Sequence, residues 1–246
     1  MIQEITSKQN AKVKYCLKLH QQSFRDEEQK FLVEGEHLLE MALQNNAVLE
    51  VYTLKKRNLP ENVSQYLVNE DILKKIAFTM NPQGVVAVCK MPKEKEISSN
   101  KVLLLDDVSD PGNLGTIFRT ALAFGYKDIL LTKHCCSAYN EKAIQASQGA
   151  IFLLSLHKNF ELSKMKKNGY QIVSTEIKGS VDLDSFKPEE KHILVLGNES
   201  RGVSQELLDI SDARVRIEIK EIESLNVGVA AGIVMHHFSK YFIFKN

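Results

Sequence analysis

Residues 102–132 read VLLLDDVSDPGNLGTIFRTALAFGYKDILLT, and they decide the fold class. Val102 to Leu105 is an unbroken apolar run, as expected of a strand covered on both faces. Pro111-Gly112 marks a turn, the spacing over 113–124 predicts a helix, and 128–132 is strand-like again. Strand, helix and strand in such close succession make a βαβ unit, which requires a parallel sheet. Between Pro111 and Tyr126 sixteen residues carry one charge, Arg119, set among Leu114, Ile117, Phe118, Ala121, Leu122 and Phe124.

The pattern repeats downstream. Helices are expected over 140–148 and 160–168, strands over 170–175, 193–197 and 213–219, and a last helix from about Ser224 to Tyr241. This second block, 101–246, reads as an α/β domain whose ligands sit at the carboxyl ends of its strands. Upstream, the polar stretch PKEKEISSN sets a linker at 93–100. Residues 1–92 form a smaller α/β block, with strands at 31–33 and 85–91, an extended 49–54, and helical pattern over 36–43 and on to Phe78. Its first twenty residues carry Lys8, Lys12, Lys14 and Lys18 against a single acid, Glu4. That face is either a phosphate contact or merely a solvated helix surface.

The chain has 246 residues, 43% hydrophobic and 26% charged, with net charge +1, so any polyanion must be recruited by a local basic patch. Cys16, Cys89, Cys135 and Cys136 form no C-x-x-C pair, and adjacent His134-Cys135-Cys136 cannot easily converge on one ion. No metal is expected. MIQEITSKQN has no apolar signal pattern and the longest apolar run, 225–235, is too short to cross a bilayer. A cytoplasmic protein without membrane partners is the expectation. A Gly-x-Gly-x-x-Gly turn and a P-loop are both missing, which counts against Rossmann-type dehydrogenases and methyltransferases and against NTPases.

Three loops end strands. In DDVSDPGNLGT, Asn113 can cap the helix, and Arg119 either faces an anionic ligand or forms a buried ion pair. In ILVLGNESRGVS, Gly197 leaves room for a planar ligand, while Glu199 either orients a ligand or caps the next helix. In IESLNVGVAAGI, Ser224 and Asn226 are cap candidates, and Gly228, Ala230, Ala231 and Gly232 permit close packing.

Together NLGTIFRTALAFG, LVLGNESRGVS and ESLNVGVAAGI resemble, in order and spacing, the three motifs of the SpoU/TrmH family in the SPOUT superfamily. FLVEGEHLLEMAL and NPQGVVAV resemble the N-terminal substrate-binding domain of its ribosomal-RNA-modifying members. The resemblance implies S-adenosylmethionine-dependent methylation of a ribose 2′-hydroxyl in RNA, 23S ribosomal RNA first. The alternatives are a transfer-RNA enzyme or a ribosome-assembly protein that binds RNA without catalysis. It implies a deep trefoil knot near the C-terminus and a homodimer through the knotted domain. Carried over by position, Arg119, Asn113, Glu199, Ser224 and Asn226 are catalytic. Leu196, Gly197, Ile217, Leu225 and Asn226 hold the cofactor, and Lys8, Lys12, Lys14, Lys18 and Arg201 meet RNA. Two departures bear on the pocket: Glu218 follows Ile217 where the family has proline, and Gly228 stands where serine is common.

Overall fold

A computed structural model describes residues 2–242. The outermost positions of the two expected blocks, 1 and 243–246, lie outside the described residues. By contacts the chain forms two units, Met1–Lys93 with Ser137–Phe152, and Glu94–Cys136 with Leu153–Asn246.

The first unit is built on a mixed sheet of β1 (Ile2–Ile5), β2 (Lys30–Glu34), β3 (Val48–Thr53), β4 (Ser64–Val68) and β5 (Val85–Lys90), in the order β1-β4-β3-β5-β2. β1, β4 and β3 run parallel; β5 is antiparallel to both β3 and β2. Helices α1 (Ala11–Lys18), α2 (Gln22–Glu28), α3 (Glu36–Gln44) and α4 (Glu70–Ile76) accompany it. Asn10 caps α1 by accepting from the Lys12 N–H, and the helix buries Val13 and Cys16 beneath Tyr52, Tyr66 and Ile72. The helical pattern expected as far as Phe78 is interrupted by β4. Its SQYLV sequence has a polar first half, and pairing on both edges overrides that local preference.

The second unit begins with β6 (Lys101–Leu105), α5 (Pro111–Ala123) and β7 (Asp128–Leu131), the βαβ unit read from sequence. Ser137–Phe152 then packs within the first unit, whereas the sequence reading set it in the second block. α6 (Glu141–Ser147) lies against β2: Gln145 donates to the Glu34 carbonyl at 3.1 Å, and Tyr139 and Phe152 meet the buried Phe31 ring. An apolar residue such as Phe31 needs cover, and this segment supplies it.

The remaining elements are β8 (Ser155–His157), α7 (Leu162–Lys167), β9 (Gln171–Thr175), β10 (Val181–Asp182), β11 (His192–Leu196), α8 (Gln205–Ile210), β12 (Ala213–Arg216) and α9 (Val227–Ser239). Seven strands pair in the order β10-β12-β9-β11-β6-β7-β8, every pair parallel. On one face Val102, Leu104, Ile172, Ile193 and Val195 pack with Met165 of α7 and Leu207 and Leu208 of α8. α5 and α9 pack together. The chain moves outward to one side of β6 through β7 and β8, and to the other through β11 and β9. Such a reversal opens a crevice at the strands' carboxyl ends.

At the amino end the polar groups are sealed. His192 is fully buried; its Nδ1 faces the Glu189 carbonyl at 2.7 Å and its Nε2 faces the Tyr126 hydroxyl at 2.7 Å. Because a carbonyl only accepts, Nδ1 carries the proton and Nε2 accepts from Tyr126. Burial, with Lys101 adding to it against the backbone's opposing pull, lowers the imidazole pKa to about 4. Asp128 accepts from Ser98 N–H, Ser99 N–H, Ser99 hydroxyl and His157. Burial opposes the anion there, yet these donors outweigh it and hold the carboxyl at about 2.

Candidate functional site

The crevice at the carboxyl end is a cavity of about 870 Å³, a size usual for small-ligand sites. Apolar side chains of Leu196, Val203, Leu208, Val215, Ile217 and Leu225 line it, together with the carboxylates of Glu176, Glu199 and Glu223. It is shaped by the segments that follow β9, β11 and β12.

β11 stops at Leu196, and the chain folds back at once: Asn198 and Gly202 exchange backbone hydrogen bonds of 2.9 Å in both directions. A Cβ on Gly197 would stand 2.1 Å from the Gly202 carbonyl carbon and 2.2 Å from the Val203 nitrogen. The glycine is therefore required by the chain's own return, and it also lines the cavity. The Asn198 side chain stitches this loop to the one after β6. Its Nδ2 donates to the Asp107 carbonyl at 2.8 Å while its Oδ1 accepts from the N–H groups of Ser200 and Arg201. Arg201 pairs with the Asp107 carboxylate, and Asp106 accepts from the Ser204 N–H at 2.7 Å. Asp107 holds φ +59°, a left-handed conformation uncommon outside glycine, asparagine and aspartate.

A hydrogen-bonded chain joins the three motif loops. Asn226 Oδ1 accepts from the N–H groups of Gly228 and Val229, at 2.9 and 3.3 Å, and so caps α9. Asn226 Nδ2 donates to Asn113 Oδ1 at 2.9 Å, and Asn113 Nδ2 donates to Glu199 Oε1 at 2.8 Å. Backbone N–H groups only donate, so the direction of each amide is fixed by the helix end. The relay must terminate on an acceptor, and Glu199 is that acceptor. Nearby, the Cys136 thiol is pushed up to about 12, chiefly by burial, with Cys135, Asp110 and Glu199 adding to it.

Several sequence expectations are corrected. Asp110, not Asn113, caps α5, accepting from the Asn113 N–H at 2.7 Å, because Pro111 starts the helix two residues earlier than read. Asn226, not Ser224, caps α9, and Glu199 caps nothing because it is taken by Asn113. Arg119 is exposed instead of sheltered. Leu114, Ile117, Phe118 and Ala121 take the buried side of α5, which leaves Thr116, Arg119 and Ala123 outward. Arg119 has no hydrogen bond or ion pair among the described residues, so the buried ion pair falls away and the guanidinium is left for a ligand.

Leu196, Gly197, Glu199, Arg201, Ile217, Ser224 and Leu225 line the cavity; Asn113 and Asn226 reach it through Glu199, and Arg119 does not line it. The four lysines lie in the first unit. Lys8 pairs with Asp71 at 3.1 Å, Lys12 pairs with Glu50 and stands 5.4 Å over the Tyr66 ring, and Lys18 stands 5.4 Å over Phe24. Lys14 is exposed and unpaired among the described residues. Asp106, Asp107 and Asn198 went unassigned in sequence although the Asp-Asp pair directly after β6 and the asparagine after Gly197 were visible signals. Among the described residues no group of three or more His, Cys, Asp or Glu is placed to hold a metal ion, and no helix is long and apolar enough to cross a membrane.

Comparison with known proteins agrees over most of the chain. The 23S rRNA (guanosine(2553)-2'-O)-methyltransferase RlmP of Bacillus subtilis is 34% identical over 96% of this chain and 99% of its own. A putative RNA methyltransferase of the TrmH family from Porphyromonas gingivalis superposes with TM-score 0.85 at 29% identity, covering 94% of this chain and 98% of that one. An AdoMet-bound rRNA methyltransferase from Sinorhizobium meliloti does so with TM-score 0.83 at 27% identity, covering 98% of both. The MRM3-like substrate binding domain matches residues 10–87 and the SpoU rRNA Methylase family matches residues 100–236. The chain belongs to the SpoU rRNA methylase family.

Proposed function

We propose that this protein transfers a methyl group from S-adenosylmethionine to a ribose 2′-hydroxyl of RNA, with 23S ribosomal RNA as substrate. The observation that carries this reading is the Asn226–Asn113–Glu199 relay, which brings three distant loops together at the edge of one cavity. The residues present fit the methyl donor. Leu196, Ile217 and Leu225 offer apolar walls to a flat base, and Glu199 and Glu223, in a lining that also carries Lys178, Arg201 and Arg216, offer carboxylates to the donor's cationic groups. When bound, it supplies a methyl carbon already activated toward an oxygen nucleophile.

What remains for the chain is to place the ribose and favour negative charge on its oxygen. Glu199 Oε1 is held by Asn113, and Oε2 has no partner among the described residues, so it can accept from the ribose hydroxyl. Asn113 and Asn226 act as positioning residues, and Ser224 sits on the cavity wall beside them. Arg119 serves as a cation for the developing alkoxide or an adjacent phosphate; a guanidinium stays protonated and cannot serve as base.

Arg119 then needs a water-poor setting from outside its own chain. A homodimer through α5 and α9 supplies one: Val229 and Ile233 on α9 are 53% and 38% exposed, beside the seam where Gly228 and Gly232 meet Thr116 and Thr120. That close seam is also what a trefoil knot involving α9 needs. The place of work is the cytoplasm, where ribosomal RNA is modified.

The test uses purified protein, tritiated S-adenosylmethionine and 23S ribosomal RNA, followed by mapping of ribose methylations. Labelled 2′-O-methyl ribose is expected. Arg119→Ala should cut transfer at least about 100-fold while cofactor affinity by calorimetry stays within a few fold. Label on a base, or none in ribosomal RNA, sinks the reading.

A further inference from the structure

In the first unit, three loops meet at one end of the mixed sheet. They follow β2, follow β3 and precede β5; Gly35 N–H donates to the Val85 carbonyl at 3.1 Å and Leu54 N–H to the Gly84 carbonyl at 3.3 Å. They are clamped with more polar groups than loop closure requires. Glu34 is 4% exposed, and its carboxylate accepts from the N–H groups of Phe78 and Thr79, at 2.7 and 3.1 Å, and from the Thr79 hydroxyl. Arg57 forks onto Glu36 with two bonds of 2.6 Å, and its Nε donates to buried Thr53 at 2.8 Å. Buried Gln65 holds the Arg57 backbone on both sides, donating to its carbonyl at 3.3 Å and accepting from its N–H at 3.4 Å.

What these clamps present to solvent is apolar and basic. Met80, in the loop before β5, is 92% exposed; Leu54, in the loop after β3, is 43% exposed and is followed by exposed Lys55 and Lys56, neither of which has an ion-pair partner within 4 Å among the described residues. Exposed apolar side chains on hydrogen-bonded loops that also carry exposed lysines suit a partner with flat bases and a charged backbone. By contrast Lys8 and Lys12 of the α1 region are neutralised by Asp71 and Glu50, and Lys18 covers an aromatic ring. We infer that this sheet end, through Leu54, Lys55, Lys56 and Met80, docks unpaired nucleotides of the substrate RNA, and that the α1 lysines are secondary. The inference rests on the RNA reading above but is tested by binding, not by turnover. Preorganised loops lose little entropy on docking, which is what the Glu34 and Arg57 clamps contribute.

The experiment compares full-length wild type with a variant carrying Leu54→Ala, Lys55→Ala, Lys56→Ala and Met80→Ala, all surface positions. The probe is protein-free 23S ribosomal RNA transcribed in vitro, titrated over a range of salt. The variant should bind at least about tenfold more weakly and lose roughly 1.5 from the slope of log affinity against log salt, two phosphate contacts at ~0.7–0.9 each. Its melting temperature and S-adenosylmethionine affinity should match wild type. Unchanged affinity and slope overturn the inference. So does normal binding to naked RNA with lost methylation of assembled 50S particles, which would make the face a dock for ribosomal protein. Wild type that binds RNA through this face but methylates none would instead defeat the proposed reaction and leave the docking surface standing.

Discussion

The two ends of the parallel sheet in the second unit carry similar residue types to opposite effect. At the amino end, Asp128, His192 and Tyr126 are buried, and each is satisfied by a neighbour, Asp128 in part by His157 from the last position of β8. At the carboxyl end Glu199 is half-buried with one oxygen available, Asp107 carries a left-handed backbone, and α5 leads away from there to Arg119, exposed without a partner among the described residues. Closed polar networks hold a fold in one arrangement, whereas an open one keeps acceptors and cations for a ligand. A polar residue in an α/β sheet is thus read by which end it occupies and whether its hydrogen bonds are complete.

The sharpest way to break this contrast is Gly197→Ala. The added carbon meets backbone, not a yielding side chain, so the return from Asn198 to Gly202 must move. Stability should fall by about 3 kcal/mol, the upper end for overpacking, and S-adenosylmethionine affinity by about a hundredfold, measured by thermal melting and calorimetry. A melting temperature equal to wild type would show that the carboxyl end is looser than described.

His192→Gln probes the sealed end. The folded imidazole titrates at about 4, below its ordinary 6.5, so between those values the unfolded chain binds more protons. The stabilising effect of keeping the ring neutral is complete above pH 6.5 and is lost as pH falls toward 4, by at most about 3 kcal/mol. Glutamine can still meet Tyr126 and the Glu189 carbonyl but does not titrate. The variant should show a flatter fall of melting temperature over that window, and a slope equal to wild type would remove His192 from the account.

Asn226→Ala should have the smallest effect on the fold. It removes the α9 cap at a cost of about 1 kcal/mol in urea unfolding. It also frees Asn113 to rotate, so methyl transfer should drop more than stability implies. Equal retention of turnover and relay geometry would reduce Asn226 to a cap alone.

Much of this was readable in the amino acids. Val102–Leu105, Ile193–Leu196 and the helix between Pro111 and Phe124 follow from unbroken apolar runs and a turn dipeptide, both local signals. β4 was not, because SQYLV owes its strand state to partners on either side. That Ser137–Phe152, inside the SpoU rRNA Methylase match, packs with the first unit was unreadable for a related reason: its helical pattern names a partner face but not which unit supplies it. The cavity-lining residues Leu196, Gly197, Ile217 and Leu225 were reached through resemblance of motifs, yet the cause of Gly197 emerged only with the returning loop in place.

Sequence alone determined the parallel α/β class, the three loops at strand ends and the family, because periodicity, turn chemistry and motif order are written along the chain. Tertiary structure decided whether Arg119 is sheltered, that Asn226 and not Ser224 caps α9, and that Glu199 terminates a relay from Asn226. Burial and hydrogen-bond direction depend on neighbours more than a hundred positions away, and no local pattern encodes them.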